Sequence, residues 1–281
     1  MKTPIKISAV SAIAIAMLST PAFAQITKDE SDFNGPYIGG HLGYTAQPND
    51  RGEGVEFDIN NDGVFTDTVR TTTGADAFST GFCKGAARAN NAGGGCRQDQ
   101  NGLEYGIRLG GDKRFGNVVV GFLAEGSRSE AKDFVTAFST TPANYTFTRE
   151  LDYAISARAR AGYTPGGGIL FYGTGGVSYG RIENSFQTSN GANAFTPRNG
   201  KDWAWGYQAG GGVEAKIARN MSIGLEYLYN SYQGDDYVVN VSRGSAPATN
   251  PFLIAGGQTD MRRTDSDFNF HSLRVTTAFR F

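Results

Sequence analysis

Ser272-Leu273-Arg274-Val275-Thr276-Thr277-Ala278-Phe279-Arg280-Phe281 is the stretch that decides the fold. Leu273, Val275, Thr277, Phe279 and Phe281 alternate with Ser272, Arg274, Thr276, Ala278 and Arg280. A period of two belongs to a strand with unlike faces. Here one face suits lipid and the other a polar interior that takes arginines.

The same pattern recurs toward the N-terminus. Met221, Ile223, Leu225, Tyr227 and Tyr229 alternate with Ser222, Gly224, Glu226, Leu228 and Asn230, and Trp203, Trp205, Tyr207, Val213 and Ile217 oppose Gln208, Glu214 and Lys216. Ile169 to Tyr179 is a Gly-rich fifth segment. The fourth sets Leu151, Tyr153, Ile155, Ala157, Ala159 and Tyr163 against Asp152, Ser156, Arg158 and Arg160. The third sets Val118, Val120, Phe122 and Ala124 against Gly121, Glu125 and Ser127. The second opposes Leu103, Tyr105, Ile107 and Leu109 to Glu104, Gly106, Arg108 and Gly110, and the first runs from Tyr37 to Tyr44. The expectation is an all-β, eight-stranded antiparallel up-and-down transmembrane barrel.

Connection lengths agree with a membrane barrel, which has short turns at one end and long loops at the other. Residues 112 to 117, 165 to 168 and 218 to 220 read as short turns. Residues 46 to 101, 132 to 149, 185 to 202 and 234 to 267 read as longer loops, with both termini on the short-turn, periplasmic side. Trp203, Trp205, Tyr207, Tyr227, Tyr229 and Tyr232 adjoin the long loops and Tyr163, Phe279 and Phe281 the short turns, as two interfacial girdles would.

The first residues carry an address. Lys2 and Lys6, the apolar run Ile7 to Leu18 and Pro21-Ala22-Phe23-Ala24 read as a signal peptide over 1–24, so the barrel domain is 25–281 and starts at Gln25. That apolar run is too short to span a bilayer as a helix. The chain carries 39 glycines in 281 residues, about twice the usual share. A net charge of -1 gives no general attraction to nucleic acid.

The ending Val275-Thr276-Thr277-Ala278-Phe279-Arg280-Phe281 resembles the assembly signal read by the outer-membrane insertion machinery, with Phe279 and Phe281 as its aromatic residues. With Gly35-Pro36-Tyr37-Ile38-Gly39-Gly40 and Tyr207-Gln208-Ala209-Gly210-Gly211-Gly212-Val213, the chain resembles the small alphaproteobacterial surface barrels related to the OmpA and OmpX type. The resemblance implies an outer-membrane location, contact with its lipid and lipopolysaccharide, and the insertion machinery as a partner during assembly. It implies nothing about an extracellular ligand.

Four groups of residues invite a chemical reading. Glu104, Arg108, Glu125, Arg158, Arg160, Glu214, Lys216, Glu226, Arg274 and Arg280 share the inward parity. An eight-stranded barrel is just wide enough for side chains to fill it, so these charges are expected to pair and leave little conductance; a narrow gated pore is the alternative. Asp58, Asn60, Asp62 and Gly63 match the first half of a calcium loop, but its twelfth position is Val69 rather than Glu; Asp67 is a partial substitute, and turn propensity alone also produces such a stretch. Cys83 and Cys96, in an exported chain, are expected to form a disulfide. The Gly173-Thr174-Gly175-Gly176 and Gly210-Gly211-Gly212 runs lack the Lys-Ser/Thr of a phosphate loop and suit close strand packing.

A catalytic set is not expected. His41 points inward by parity, His271 has lipid-facing parity, and Ser272 must face away from its neighbour His271. The expected function is structural and surface interaction without catalysis or cofactor. A porin-type pore and a soluble periplasmic binding barrel are the other readings.

Overall fold

The structure, a computed structural model, describes residues 32–48, 52–234 and 237–281. The signal-peptide reading lies outside these residues. The strands in chain order are β1 (Gly35–Ala46), β2 (Val55–Asp58), β3 (Phe82–Cys83), β4 (Ala86–Ala87), β5 (Cys96–Arg97), β6 (Gly102–Phe115), β7 (Val118–Ser129) and β8 (Lys132–Ser139). There follow β9 (Ala143–Gly166), β10 (Ile169–Thr188), β11 (Ala194–Arg198), β12 (Lys201–Ala218), β13 (Met221–Gln233), β14 (Val238–Ser242), β15 (Thr259–Arg263) and β16 (Asp267–Arg280).

Eight long strands, β1, β6, β7, β9, β10, β12, β13 and β16, each pair antiparallel with two neighbours in the ring. Closure comes from β1 on β16, where Tyr37 faces Arg280 and Ala46 faces His271. The outer wall is apolar: Ile38, Leu42, Leu103, Ile107, Leu109, Phe122, Ile155, Phe171, Val177 and Leu225 are all exposed. On β9 this belt runs from Tyr153 to Tyr163. Ten rises of about 3.3 Å, tilted by about 40°, give a height of about 25 Å, the apolar band of an outer-membrane barrel.

The turns are tighter than the sequence pattern suggested. β6 and β7 pair as far as Phe115 and Val118, leaving only Gly116 and Asn117 between them, with Gly116 at φ 61. Between β9 and β10 only Gly167 and Gly168 remain, at φ 69 and 70, a combination that two-residue hairpins of the I′ type need and glycine supplies readily. Asp112, expected in a turn, is therefore a strand residue that faces inward.

The ladder is irregular at three places, between Ile169 and Phe171, between Lys216 and Ala218, and between Arg181 and Ile182, and the last of these turns an expected lipid-facing residue inward. Arg181 pairs with Tyr153 but Ile182 with Leu151, so Asp152 is an extra residue in β9. A bulge shifts every side chain beyond it to the other face. Leu151, expected on the lipid side, is 3% exposed and packs inside with Ala154, Ile182, Ala204, Phe268, Phe270 and Tyr232, the last of which was expected in the outer girdle but is fully buried because its even position on β13 faces the lumen.

Beyond the belt the four longer connections are not simple loops. The 132–149 stretch is β8 and the start of β9, which form a hairpin. β11, β14, β15 and β2, drawn from three different connections, build a separate four-stranded sheet. Val55, Phe57, Val69, Phe78, Val135, Tyr145, Phe147, Tyr237, Val239, Val241, Phe252 and Met261 form one apolar core between these pieces. The barrel thus carries a folded cap at its long-loop end.

Candidate functional site

The interior is stacked in layers. At the inner mouth Phe33, at φ 57, turns into the opening and is fully buried with Val119, Leu170 and Tyr172. Above it Arg160 donates from Nε to Asp112 Oδ1 (2.7 Å) and from Nη1 to Glu214 Oε2 (2.8 Å). Arg280 donates to Asp112 Oδ2 (2.6 Å) and Glu214 Oε1 (2.8 Å), and Lys216 Nζ reaches Asp32 at 2.5 Å. The Arg160 and Arg280 guanidiniums also lie over the Tyr37 ring.

The middle layer holds Arg108, Arg158 and Arg274 against Glu104, Glu125 and Glu226. Glu226 Oε1 accepts from Arg108 Nη2 (2.9 Å), Arg158 Nη1 (3.4 Å) and Arg274 Nε (2.9 Å), and its Oε2 accepts from Tyr172 (2.9 Å). Arg274 Nη1 binds Glu104 at 2.8 Å, and Arg158 Nη2 binds Glu125 at 2.9 Å. Further out the links are neutral, Gln208 to Asn230 (2.9 Å), Asn230 to Ser272 (3.1 Å) and Ser178 to Tyr232 (2.8 Å), and the Leu151–Phe270 layer closes over them.

All ten sequence-predicted interior charges point inward; nine are buried, and Lys216 is partly buried at the inner mouth. That set has six cations and four carboxylates. Asp112 and Asp32 complete it at six and six. The unequal count was the signal in the sequence that two acids were missing. Phe33 left no such signal, because one aromatic before a strand has no pattern. Interior glycines make room for the large side chains: a Cβ at Gly206 would lie 2.7 Å from the Tyr232 ring, and one at Gly212 2.9 Å from the Tyr172 hydroxyl.

His41 lies beside Glu125 (3.5 Å) and Glu104 (3.7 Å), a trio that could offer metal ligands. Arg274 already sits among them, 3.4 Å from the His41 Nε2 and bonded to both carboxylates. A divalent ion there would add charge to a cluster in which three guanidiniums already balance three carboxylates. His271 is five rungs away on the outer wall, its Nδ1 2.7 Å from the Tyr227 hydroxyl, and Ser272 is buried on the opposite face. These groups do not form a catalytic set.

In the cap, Cys83 and Cys96 are joined by a disulfide with Cα atoms 6.4 Å apart. The Asp58 loop is a turn held by its own amides. Asp58 accepts from the N–H groups of Asp62 (3.2 Å) and Gly63 (2.8 Å), Asp62 from that of Val64 (2.8 Å), and Asp67 from that of Ile59 (3.0 Å). Asn60 is tied to Asp62 at 2.9 Å, and Val69, at the twelfth position, is buried in the cap core.

Between cap and barrel lies a second buried ionic cluster. Arg263 bonds Glu53 and Asp133 (2.8 Å), and Arg149 bonds Asp133 (2.6 Å) and the Asp265 carbonyl (3.0 Å). Asp99 accepts from the Phe134 N–H at 2.9 Å. Burial and the neighbouring Asp133 push its carboxyl up to about 7. Periodicity gave no sign of this cluster, because its members come from five separate segments.

Comparison with known proteins follows the same lines. The chain is 30% identical over 183 residues to the 31 kDa outer-membrane immunogenic protein of Brucella melitensis, covering 64% of this chain and 61% of that one. It spans about six tenths of the length of that relative. A 22 kDa outer membrane protein of Rhizobium leguminosarum is 37% identical over 82 residues, 29% of this chain and 34% of its own. The crystal structure of OprG from Pseudomonas aeruginosa aligns with 90% of this chain and 99% of its own at a TM-score of 0.45 and 12% identity. The sequence model of the outer membrane protein beta-barrel domain matches residues 10–281, so the chain belongs to that family of mostly non-enzymatic barrels and resides in the outer membrane.

Proposed function

We propose that this protein is a sealed, non-catalytic surface barrel whose work is done by its folded cap. The observation that carries the reading is the apolar core shared by β2, β8, β9, β14 and β15, which turns the outer connections into one rigid display surface. Such a core is costly to maintain unless the surface has to keep a shape, since disordered loops would serve a pore equally well. Paired charges, Phe33 and the Leu151–Phe270 layer fill the lumen, which supports display over transport. The Brucella relative has "immunogenic" in its name, and the cap is the part of this chain that an antibody outside the cell would meet.

Export through residues 1–24 and assembly through Phe279 and Phe281 belong to the same proposal. In support, both rings lie exposed on the lower wall, 5.2 Å apart. Two measurements test the reading. Whole cells treated with an impermeant reagent are expected to label the cap, and planar bilayers holding the purified barrel are expected to show no steady current. Large, steady single-channel currents would instead establish the porin-type alternative.

A further inference from the structure

Ahead of β1 the chain makes a short arm, Asp32-Phe33-Asn34, that turns back under the inner mouth. Phe33 sits at φ 57, a region that a bulky side chain rarely adopts, and Gly35 follows at φ 102. Left to itself the arm would not hold this turn. The walls around it do. Phe33 packs against Val119 of β7 and against Leu170 and Tyr172 of β10, and the Arg280 guanidinium of β16 lies 5.3 Å from its ring centre. Asp32 is 3% exposed and accepts from Lys216 Nζ of β12 at 2.5 Å. Arg114 of β6 donates from its main chain to Asn34 Oδ1 (3.4 Å) and from Nη1 to the Asp32 carbonyl (3.5 Å). Just beyond the arm, the Phe281 N–H donates to the Pro36 carbonyl at 3.2 Å.

These partners come together only in a closed ring. The strands follow one another as β1-β6-β7-β9-β10-β12-β13-β16, so β10 stands opposite β1, and β16 is the far edge of the sheet before closure. Seven strand spacings of about 4.8 Å put that edge about 34 Å from β1 in a flat open sheet, whereas three residues of extended chain reach about 10 Å. The arm therefore cannot meet Arg280 until β1 has paired with β16. To part them again, Phe33 must leave its apolar socket and Asp32 its buried cation.

We propose that Asp32-Phe33-Asn34 is a closure latch, which docks after β1 meets β16 and then holds that seam against reopening. Its effect is kinetic. Contacts made after the rate-limiting step slow unfolding without speeding folding, and an exported protein persists by unfolding slowly. The hold falls on the β1–β16 seam because the arm runs on into β1 while its socket includes Arg280 of β16. The latch acts in the same way whether the barrel displays a surface or conducts.

The test uses the full-length barrel refolded from urea into lipid vesicles, with folding and unfolding rates read separately by heat-modifiable gel mobility. Phe33→Ala is expected to unfold about a hundredfold faster, as loss of a buried ring allows, and to refold within about twofold of the native rate. Phe33→Leu, which keeps much of the apolar bulk, is expected to fall between the two and takes the same measurements if the alanine variant does not fold. Hydrogen exchange then locates the effect. Amides from Tyr37 to Leu42 and from Val275 to Arg280 are expected to exchange about tenfold faster or more, while those of the β9–β10 ladder from Ile155 to Ala161 keep their protection. Phe115→Ala, which removes an exposed ring near the same mouth, is expected to leave the rates and the exchange pattern unchanged. Refolding slowed in proportion to the lost stability would place Phe33 docking before closure and overturn the proposal. So would unchanged unfolding, or exchange that rises evenly around the ring.

Discussion

Removing Glu226 should unfasten the middle of the barrel. Its carboxylate is fully buried and serves Arg108, Arg158, Arg274 and Tyr172 at once. Glu226→Ala leaves three guanidiniums facing two carboxylates, Glu104 and Glu125, and orphans the Tyr172 hydroxyl. Taking one partner from a buried ionic cluster costs about 3–5 kcal/mol, and a buried unpaired hydroxyl adds about 1 kcal/mol or more. A loss of about 4 kcal/mol of unfolding free energy is expected, close to a thousandfold in the equilibrium. Denaturant titration in lipid vesicles measures it. Trp203 and Trp205, both on the lipid wall, report unfolding by their emission. Pairing Glu226→Leu with Arg274→Met restores two charges against two and should recover at least about 2 kcal/mol, as coupled neighbours do. A cost below about 1 kcal/mol for Glu226→Ala would refute the reasoning. It would mean that the pairs behave as solvent-exposed ones do, with water in the lumen.

Further outcomes follow from the cap. Replacing both Cys83 and Cys96 by Ser reopens a loop with a sequence separation of 13 and should lower cap stability by about 3 kcal/mol, read as protease sensitivity of the cap on intact cells. The cluster beneath the cap holds two cations, Arg149 and Arg263, against Glu53, Asp99 and Asp133, so one carboxylate has no counter-charge. Asp99, raised to about 7 from an ordinary value near 4, binds its proton more tightly in the folded cap, so stability falls as pH rises from about 4 through 7. Asp99→Asn, which keeps an oxygen for the Phe134 N–H, should flatten that slope in thermal unfolding between pH 5 and 8; an unchanged slope would assign it to another group. Calcium at millimolar concentration should leave cap unfolding unshifted, because the carboxylates of Asp58, Asp62 and Asp67 already accept main-chain N–H bonds. A calcium-binding heat that Asp62→Ala abolishes would show a true ion site.

What could be read from the chain alone was what repeats every second residue. The face toward lipid and the inward direction of Arg108, Glu125 and Arg274 follow from the pleat of each strand, a local property. Where the pleat is broken, pattern reading fails: the extra Asp152 turns Leu151 inward, and nothing in Leu151-Asp152-Tyr153 marks the bulge. Asp112 was misassigned because turn-forming residues surround it, although the ladder continues past it to Phe115.

The sequence by itself determined that the chain is an antiparallel barrel with a lipid face and a charged lumen. Only the tertiary structure decided which charges meet, since Arg274 reaches Glu104 across 170 positions and Arg263 reaches Glu53 across 210. It alone showed that Phe33 closes the inner mouth and that polar-looking connections condense into a cap. Those contacts depend on where barrel closure brings distant segments together in space. Alternation within one strand carries no record of its partners on another.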